Sequence, residues 1–475
     1  MINRIIVRHV LSFLIFFVCF TFYGELCYGQ QDTLRSIIIR KITIKGNKHT
    51  KDYIIARELD IREGDSIPFY QISRKLRKGR EQIYNTTLFV QVSVDSAYES
   101  ANVLDLLVSV KEKWHIYPLP EFQIVDRSYN EWIQKYHGSL SRVNYGVKFV
   151  DNNLTGRKDQ LRITLLDGYS REVGFNYNAP YANPKLTNGF FIGGNYAQTR
   201  EIAYKSSYNN QLLYFKNKDF VRNSATIQTG YSIRKAIKTT HSFSIRYTFI
   251  NLNDSIVSST YNPHYINSAV ARKGFGDLFY NLQIVDVNNI LYPLQGYTLS
   301  FGIQKRGLEF SGGTNLVSVH GEYNVYRDLG KKWYAGFQAQ GMIKLPFDQP
   351  YINQQALGYG SAYIRGLESY VIDGVADVIS KINIKREILN LNITTPFKRS
   401  KTFNTIPFRV YAKVYTDVGY AYAQQEFSTM LNNRFLHSSG IGVDIVTFYD
   451  LQVRFEYSFN QLGQKRLFLH NEKGF

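Results

Sequence analysis

From about residue 140 to the C-terminus, hydrophobic and polar side chains alternate with a period of two. In "HSFSIRYTFI" (241–250), Phe243, Ile245, Tyr247 and Phe249 share one face, and Ser242, Ser244, Arg246 and Thr248 share the other. "LQVRFEYSFN" (451–460) opposes Leu451, Val453, Phe455, Tyr457 and Phe459 to Gln452, Arg454, Glu456, Ser458 and Asn460. Successive side chains of a strand point to opposite faces, so each segment reads as a strand with one apolar and one polar side. About 16 such segments follow one another at intervals of about 20 residues. The first begins near Ser141, the fifth near Asn210, the eleventh near Lys332, the twelfth near Val378 and the last near Lys465.

A soluble sandwich would turn its apolar faces inward, and a membrane barrel would turn them outward. The polar faces carry charge in strand after strand, which a packed core does not tolerate. The apolar faces are rich in Tyr and Phe, as interfacial girdles are. These segments therefore predict an all-β transmembrane barrel with a polar lumen. Lipid offers no hydrogen bonds, so the sheet is expected to close on itself. Composition agrees: the chain holds 37 Tyr and 32 Phe, yet its mean hydropathy is −0.27.

The amino-terminal quarter reads differently. Arg4 and Arg8 precede an apolar run from Val10 to Phe22 and small residues near Gly29, the layout of a secretory signal peptide over 1–29. A retained anchor is the alternative. Cys19 and Cys27 would leave with the peptide, and Cys27 lacks the small neighbours of a lipoprotein site. Residues 36–117 predict a small α+β module. The strand "SIIIRKITIK" ends at Gly46-Asn47, and Thr50 is placed to cap a helix over "KDYIIARELD". A second helix over "YQISRKLRKGREQIYNT" and strands at "LFVQVSVDS" and "VLDLLVSVKEKW" complete it. Residues 118–139 read as a linker, with the barrel over 140–475.

The formal net charge of +19 brings no recognition helix and no dense Lys/Arg run with it, so nucleic acid is not an expected partner. A water-filled interior and rims beside anionic headgroups account for it. The histidines are scattered, with no H-E-x-x-H, no cysteine ligands and no Ser/His set, so neither an enzyme, a metal site nor a cofactor is expected.

If the module lies in the periplasm, the first barrel strand rises outward and the stretch "GYGSAYIRGLESYVIDG" (358–374) is an extracellular loop. The strand after it, "VISKINIKREIL", turns Ile382, Ile384 and Ile388 to lipid and Lys381, Asn383, Lys385 and Glu387 inward. "FRVYAKVYTDVGYAYA" sends Val410, Ala412, Val414 and Val418 outward and Arg409, Lys413 and Asp417 inward. A loop tucked into the lumen could then bridge Glu387 and Asp417 through the planar donor fork of Arg365.

At this point a family resemblance becomes specific. "YIRGLESY", with Arg365 and Gly366, resembles the inward-folded V-R-G-F/Y loop of the outer-membrane assembly factor superfamily, the BamA/TamA group and its two-partner-secretion relatives. "YTDVGYA", with Asp417 and Gly419, resembles its aspartate-and-glycine strand motif, and "REIL" its preceding glutamate, Glu387. "NNILYPLQGYTLSF" (288–301) resembles its mid-barrel turn, and the 36–117 module resembles a POTRA domain. Leu367 stands where the family usually has an aromatic, and only one POTRA-like module fits.

The resemblance implies a closed 16-stranded barrel in the outer membrane of a Gram-negative bacterium, with its module in the periplasm. It implies a clamp of Arg365 on Glu387 and Asp417, and a terminal aromatic, Phe475, as a barrel-closure signal. The implied function is insertion or translocation of unfolded β-rich clients, with accessory periplasmic or lipoprotein subunits and outer-membrane lipid as further partners. A secretion pore for one exported protein and a structural porin are the alternatives. A rigid spacer is the bland reading of the module.

Overall fold

The computed structural model describes residues 35–470 apart from 101, 126–131, 134–135, 269, 308–314, 395–404 and 425–428. The expected signal segment, its two cysteines and Phe475 lie outside the described residues.

The module opens with β1 (Ser36–Lys45), α1 (Asp52–Ala56), β2 (Ser66–Pro68) and α2 (Phe69–Tyr84), and closes with β3 (Phe89–Ser100) and β4 (Val103–Glu112). Its sheet runs β2-β1-β4-β3, with β1 and β4 parallel and β3 on an edge. Ile72 and Ile83 lie on the buried face of α2, and Ile54 and Ile55 on that of α1. Each fully buried isoleucine contributes about 1.5–3 kcal/mol, which makes so short a first helix tenable. Gly79 lets α2 approach the end of α1, since a Cβ there would sit 2.8 Å from Leu59 Cδ2. Thr50 does not cap α1. The carboxylate of Glu112 instead accepts the backbone N–H groups of Lys48, His49 and Thr50 at 2.7–3.2 Å. The Thr50 hydroxyl accepts from Asn153, in a turn of the barrel.

The barrel strands are β5 (Ile116–Ile124), β6 (Val143–Asp151), β7 (Gln160–Gly168), β8 (Arg171–Ala179) and β9 (Asn188–Thr199). After a hairpin of β10 (Glu201–Ser206) and β11 (Leu212–Lys216) come β12 (Arg222–Ile233), β13 (Thr239–Leu252), β14 (Arg272–Val287), β15 (Gly296–Arg306), β16 (Leu316–Gly330) and β17 (Trp333–Leu345). Two short strands, β18 (Gln355–Leu357) and β19 (Ile372–Asp373), lie within the long loop. The barrel finishes with β20 (Ala376–Thr394), β21 (Thr405–Tyr422), β22 (Phe435–Val446), β23 (Gln452–Asn460) and β24 (Lys465–His470). Omitting β10, β11, β18 and β19, these form one antiparallel 16-stranded sheet in chain order. Burial is inverted relative to a soluble protein: Phe243, Ile245, Tyr247 and Val414 are exposed, while Lys413, Asp417, Asp444 and Glu456 are buried.

Two strand assignments differ from the sequence reading, and their errors offset. The segment near Asn210 lies in the β10–β11 hairpin outside the barrel sheet, because local alternation does not reveal which sheet a strand joins. The expected linker over 118–139 begins inside a barrel strand, β5, which pairs with β6. Pro118 and Pro120 disguised it, since proline argues against a central strand. Val125 N–H donates to Arg142 O, and Asn152 N–H to His115 O, so the odd-numbered residues of β5 bond toward β6. Pro118 and Pro120 therefore face away from β6, toward the seam with the last strand. Among the described residues no pairing joins β5 to β24, so the expected closure of the ladder is not seen there.

The module seats on the turns at one end of the barrel. Tyr181, from the β8–β9 turn, joins the module's core beside Ile55, Leu59 and Phe89. Buried Glu58 accepts from Nη1 and Nη2 of Arg234, at 2.5 and 2.8 Å, and from the hydroxyl of Tyr181 at 2.8 Å. Burial pushes the Glu58 carboxyl up, but Arg234, with Lys158 and Arg57, more than offsets this and holds it below its ordinary value. Tyr84 bonds Asp450, and Lys78 pairs with Asp286 at 3.0 Å, so contacts extend around the rim.

Candidate functional site

The loop between β17 and β20 folds back into the barrel from the end opposite the module. Its apolar residues Leu357, Ile364, Leu367 and Ile372 pack with Ile379, Ala421, Leu431 and Leu436. This inserts Arg365, which is fully buried. Its backbone N–H and its Nε both donate to Asp417 Oδ2 at 2.9 Å, and Nη2 pairs with Oδ1. Nη1 donates to Asn383 Oδ1 at 2.6 Å and stands 3.6 Å from Glu456 Oε1. The guanidinium carbon lies 4.0 Å over the Tyr415 ring. Every side of the cation is thus engaged, the condition under which a buried charge is tolerated.

Two glycines permit this approach. Gly366 has φ of +85°, and a Cβ on it would meet Ser458 Cβ at 2.9 Å. A Cβ on Gly419 would stand 2.8 Å from Ile364 Cδ1 and 2.9 Å from Val378 O.

Glu387 is not a partner of Arg365, contrary to the expected clamp. Asp417 pairs in register with Lys381, and Glu387 lies six residues further along β20, about 20 Å away. There it meets Lys332 at 3.3 Å and the Tyr411 hydroxyl at 3.4 Å. A period of two fixes the face a residue occupies and says nothing of its depth. Glu456 stands at the guanidinium instead. The polar face of "LQVRFEYSFN" already placed it in the lumen, but the register between β21 and β23 was needed to bring it beside Asp417.

Glu456 continues the network. It pairs with Lys413 at 2.6 Å, Lys413 with Asp444 at 2.6 Å, and Asp444 with Lys385 at 3.1 Å. Asp444 also accepts from Tyr292 at 2.9 Å. Tyr292 belongs to the "NNILYPLQ" turn, which enters the lumen from the module end. Segments inserted from opposite mouths therefore meet one charged ladder on the wall formed by β20–β23. The loop also grips the last hairpin: Asn460 donates to Gly366 O at 2.8 Å, Gln464 to the Tyr370 hydroxyl at 2.6 Å, and Arg466 to Ser369 at 3.1 Å. Among the described residues no cluster of His, Cys, Asp and Glu is arranged to hold a metal ion.

Comparison with known proteins is consistent with this geometry. Residues 37–113 match the family model "POTRA: Surface antigen variable number repeat". The outer membrane protein assembly factor BamA of Neorickettsia risticii is 26% identical over 271 residues, 57% of this chain. The match spans 32% of that relative's length. In its module and in the matched stretch the chain is similar to the BamA-like outer-membrane assembly factors. Solved structures share the fold. BamA from Haemophilus ducreyi lacking POTRA domains 1–3 superposes with a TM-score of 0.50 at 16% identity, over 91% of this chain and 83% of that one. CdiB from Escherichia coli gives 0.54 at 11% identity, over 92% and 74%.

Proposed function

We propose that this protein assembles β-rich clients into the outer membrane of a Gram-negative bacterium, with its single module in the periplasm. The observation that carries this reading is the filled lumen. The Arg365 loop and the Tyr292 turn occupy it from both ends, so traffic is expected at the wall of the barrel. The seam between β5 and β24, where no pairing is seen among the described residues, offers such a wall site, and a client entering there keeps its backbone hydrogen-bonded while it meets lipid. The edge strand β3 suits capture of an unfolded strand through main-chain hydrogen bonds. Accessory periplasmic or lipoprotein subunits would join at the module.

A pore for one secreted partner is the second reading, favoured by the same inserted loop if it withdraws to open the lumen. Depletion separates the two. Loss of many outer-membrane proteins is expected for the assembly factor. Loss of one exported protein, with the rest unchanged, would overturn it in favour of the pore.

A further inference from the structure

A cleft of about 1010 Å³ lies between the module and the barrel rim. Of the cations that line it, Arg57, Lys75, Lys78 and Lys238 are paired with acids, and four more come from four separate segments: Arg62 after α1, Arg74 on α2, Lys185 in the β8–β9 turn and Lys235 in the β12–β13 turn. Among the described residues none of these last four side chains is held in a hydrogen bond or ion pair. The acids in the lining are already engaged, Glu58 by Arg234, Asp60 by Lys75 and Asp65 by the backbone N–H of Arg62. Two cations of the module thus share this cavity with two of the rim, and the cations of its lining outnumber its three acids, Glu58, Asp60 and Asp65. Like charges held together in this way favour occupancy by an anion.

The surroundings indicate which anion. Leu59, Ile61 and Ile237 add apolar surface to the lining. Directly beyond the two turns, exposed Phe190 and Tyr231 stand on the outward face of the barrel. Aromatic side chains in that position mark the boundary between hydrocarbon and headgroups, so the cleft lies at headgroup level.

We propose that the cleft binds the phosphate-bearing headgroup of an anionic phospholipid, which bridges the module to the rim. Arg62 and Arg74 hold the phosphate from the module side, and Lys185 and Lys235 from the barrel side. The proposal rests on the outer-membrane reading above and is independent of any client.

The test is native mass spectrometry of the full chain released from detergent in the presence of phosphatidylglycerol or phosphatidylethanolamine. Preferential retention of phosphatidylglycerol is expected. The combined variant R62Q/R74Q/K185Q/K235Q should lower that retention roughly ten-fold, whereas K45Q/K48Q/R77Q/R80Q, which removes equal charge from exposed sites outside the cleft, should leave it within about two-fold. Heat-modifiable migration in gels verifies that both variants fold. Equal losses in the two variants, or no loss in either, would overturn the proposal. Displacement of the lipid by an equal concentration of glycerol 3-phosphate would do so as well, making this a site for small soluble anions. Displacement by an acidic peptide would reassign it to a protein segment. Because no client is present, lipid retention is read separately from the assembly function.

Discussion

Arg365 and Asp417 are joined twice over, through the side-chain fork and through the arginine's own backbone N–H. The second bond ties the path of the loop, and not merely one rotamer, to the wall of the barrel. Arg365→Ala should leave the barrel assembled while releasing the loop, because it strands Asp417 in a buried site at a cost of about 3–5 kcal/mol. Added protease should then cut within 358–374 in intact membranes, and a mutant loop as resistant as the wild type would refute the clamp. Arg365→Lys retains the charge without the planar fork and should fall between the two.

Gly419→Val should loosen the same loop without touching a charge. Its side chain would enter the space of Ile364 and the Val378 carbonyl. Overpacking of this kind costs about 1–3 kcal/mol. Increased cleavage of the loop, with an unchanged barrel melting profile, is the expected result.

Docking of the module should depend on pH through Glu58. Its carboxyl is held below the ordinary value of 4.5, so the stabilisation is complete above that value and is lost as the pH falls below it. Glu58→Gln should remove this dependence and weaken docking at neutral pH. A fluorescence distance pair placed on the module and the rim would report both effects. A Glu58→Gln variant that loses docking in acid as steeply as the wild type would contradict the assignment.

The prolines of β5 make a prediction about the seam. Pro118→Ala with Pro120→Ala restores two N–H donors on the edge facing β24. Each hydrogen bond made there contributes about 1 kcal/mol. The double variant should melt higher on heated gels and assemble fewer clients. Unchanged melting would mean that these positions do not govern closure of the barrel.

Much of this architecture was legible in the chain itself. Alternation in segments such as 241–250 and 451–460 determined which side chains meet lipid and which line the lumen, because a strand admits only two faces. The glycines and arginine of 358–374, with "YTDVGYA", identified the inserted loop and its aspartate. What alternation could not carry was depth and partnership. The tertiary structure alone moved Glu387 to the far end of β20 and placed Glu456 at the guanidinium, since register depends on pairings between strands distant in sequence. It also turned Pro118 and Pro120 from apparent linker residues into the blunt edge of a barrel strand. The contact of Glu58 with Arg234 likewise appears only when two separately folded parts meet, because no local pattern records which surface a buried carboxylate will face.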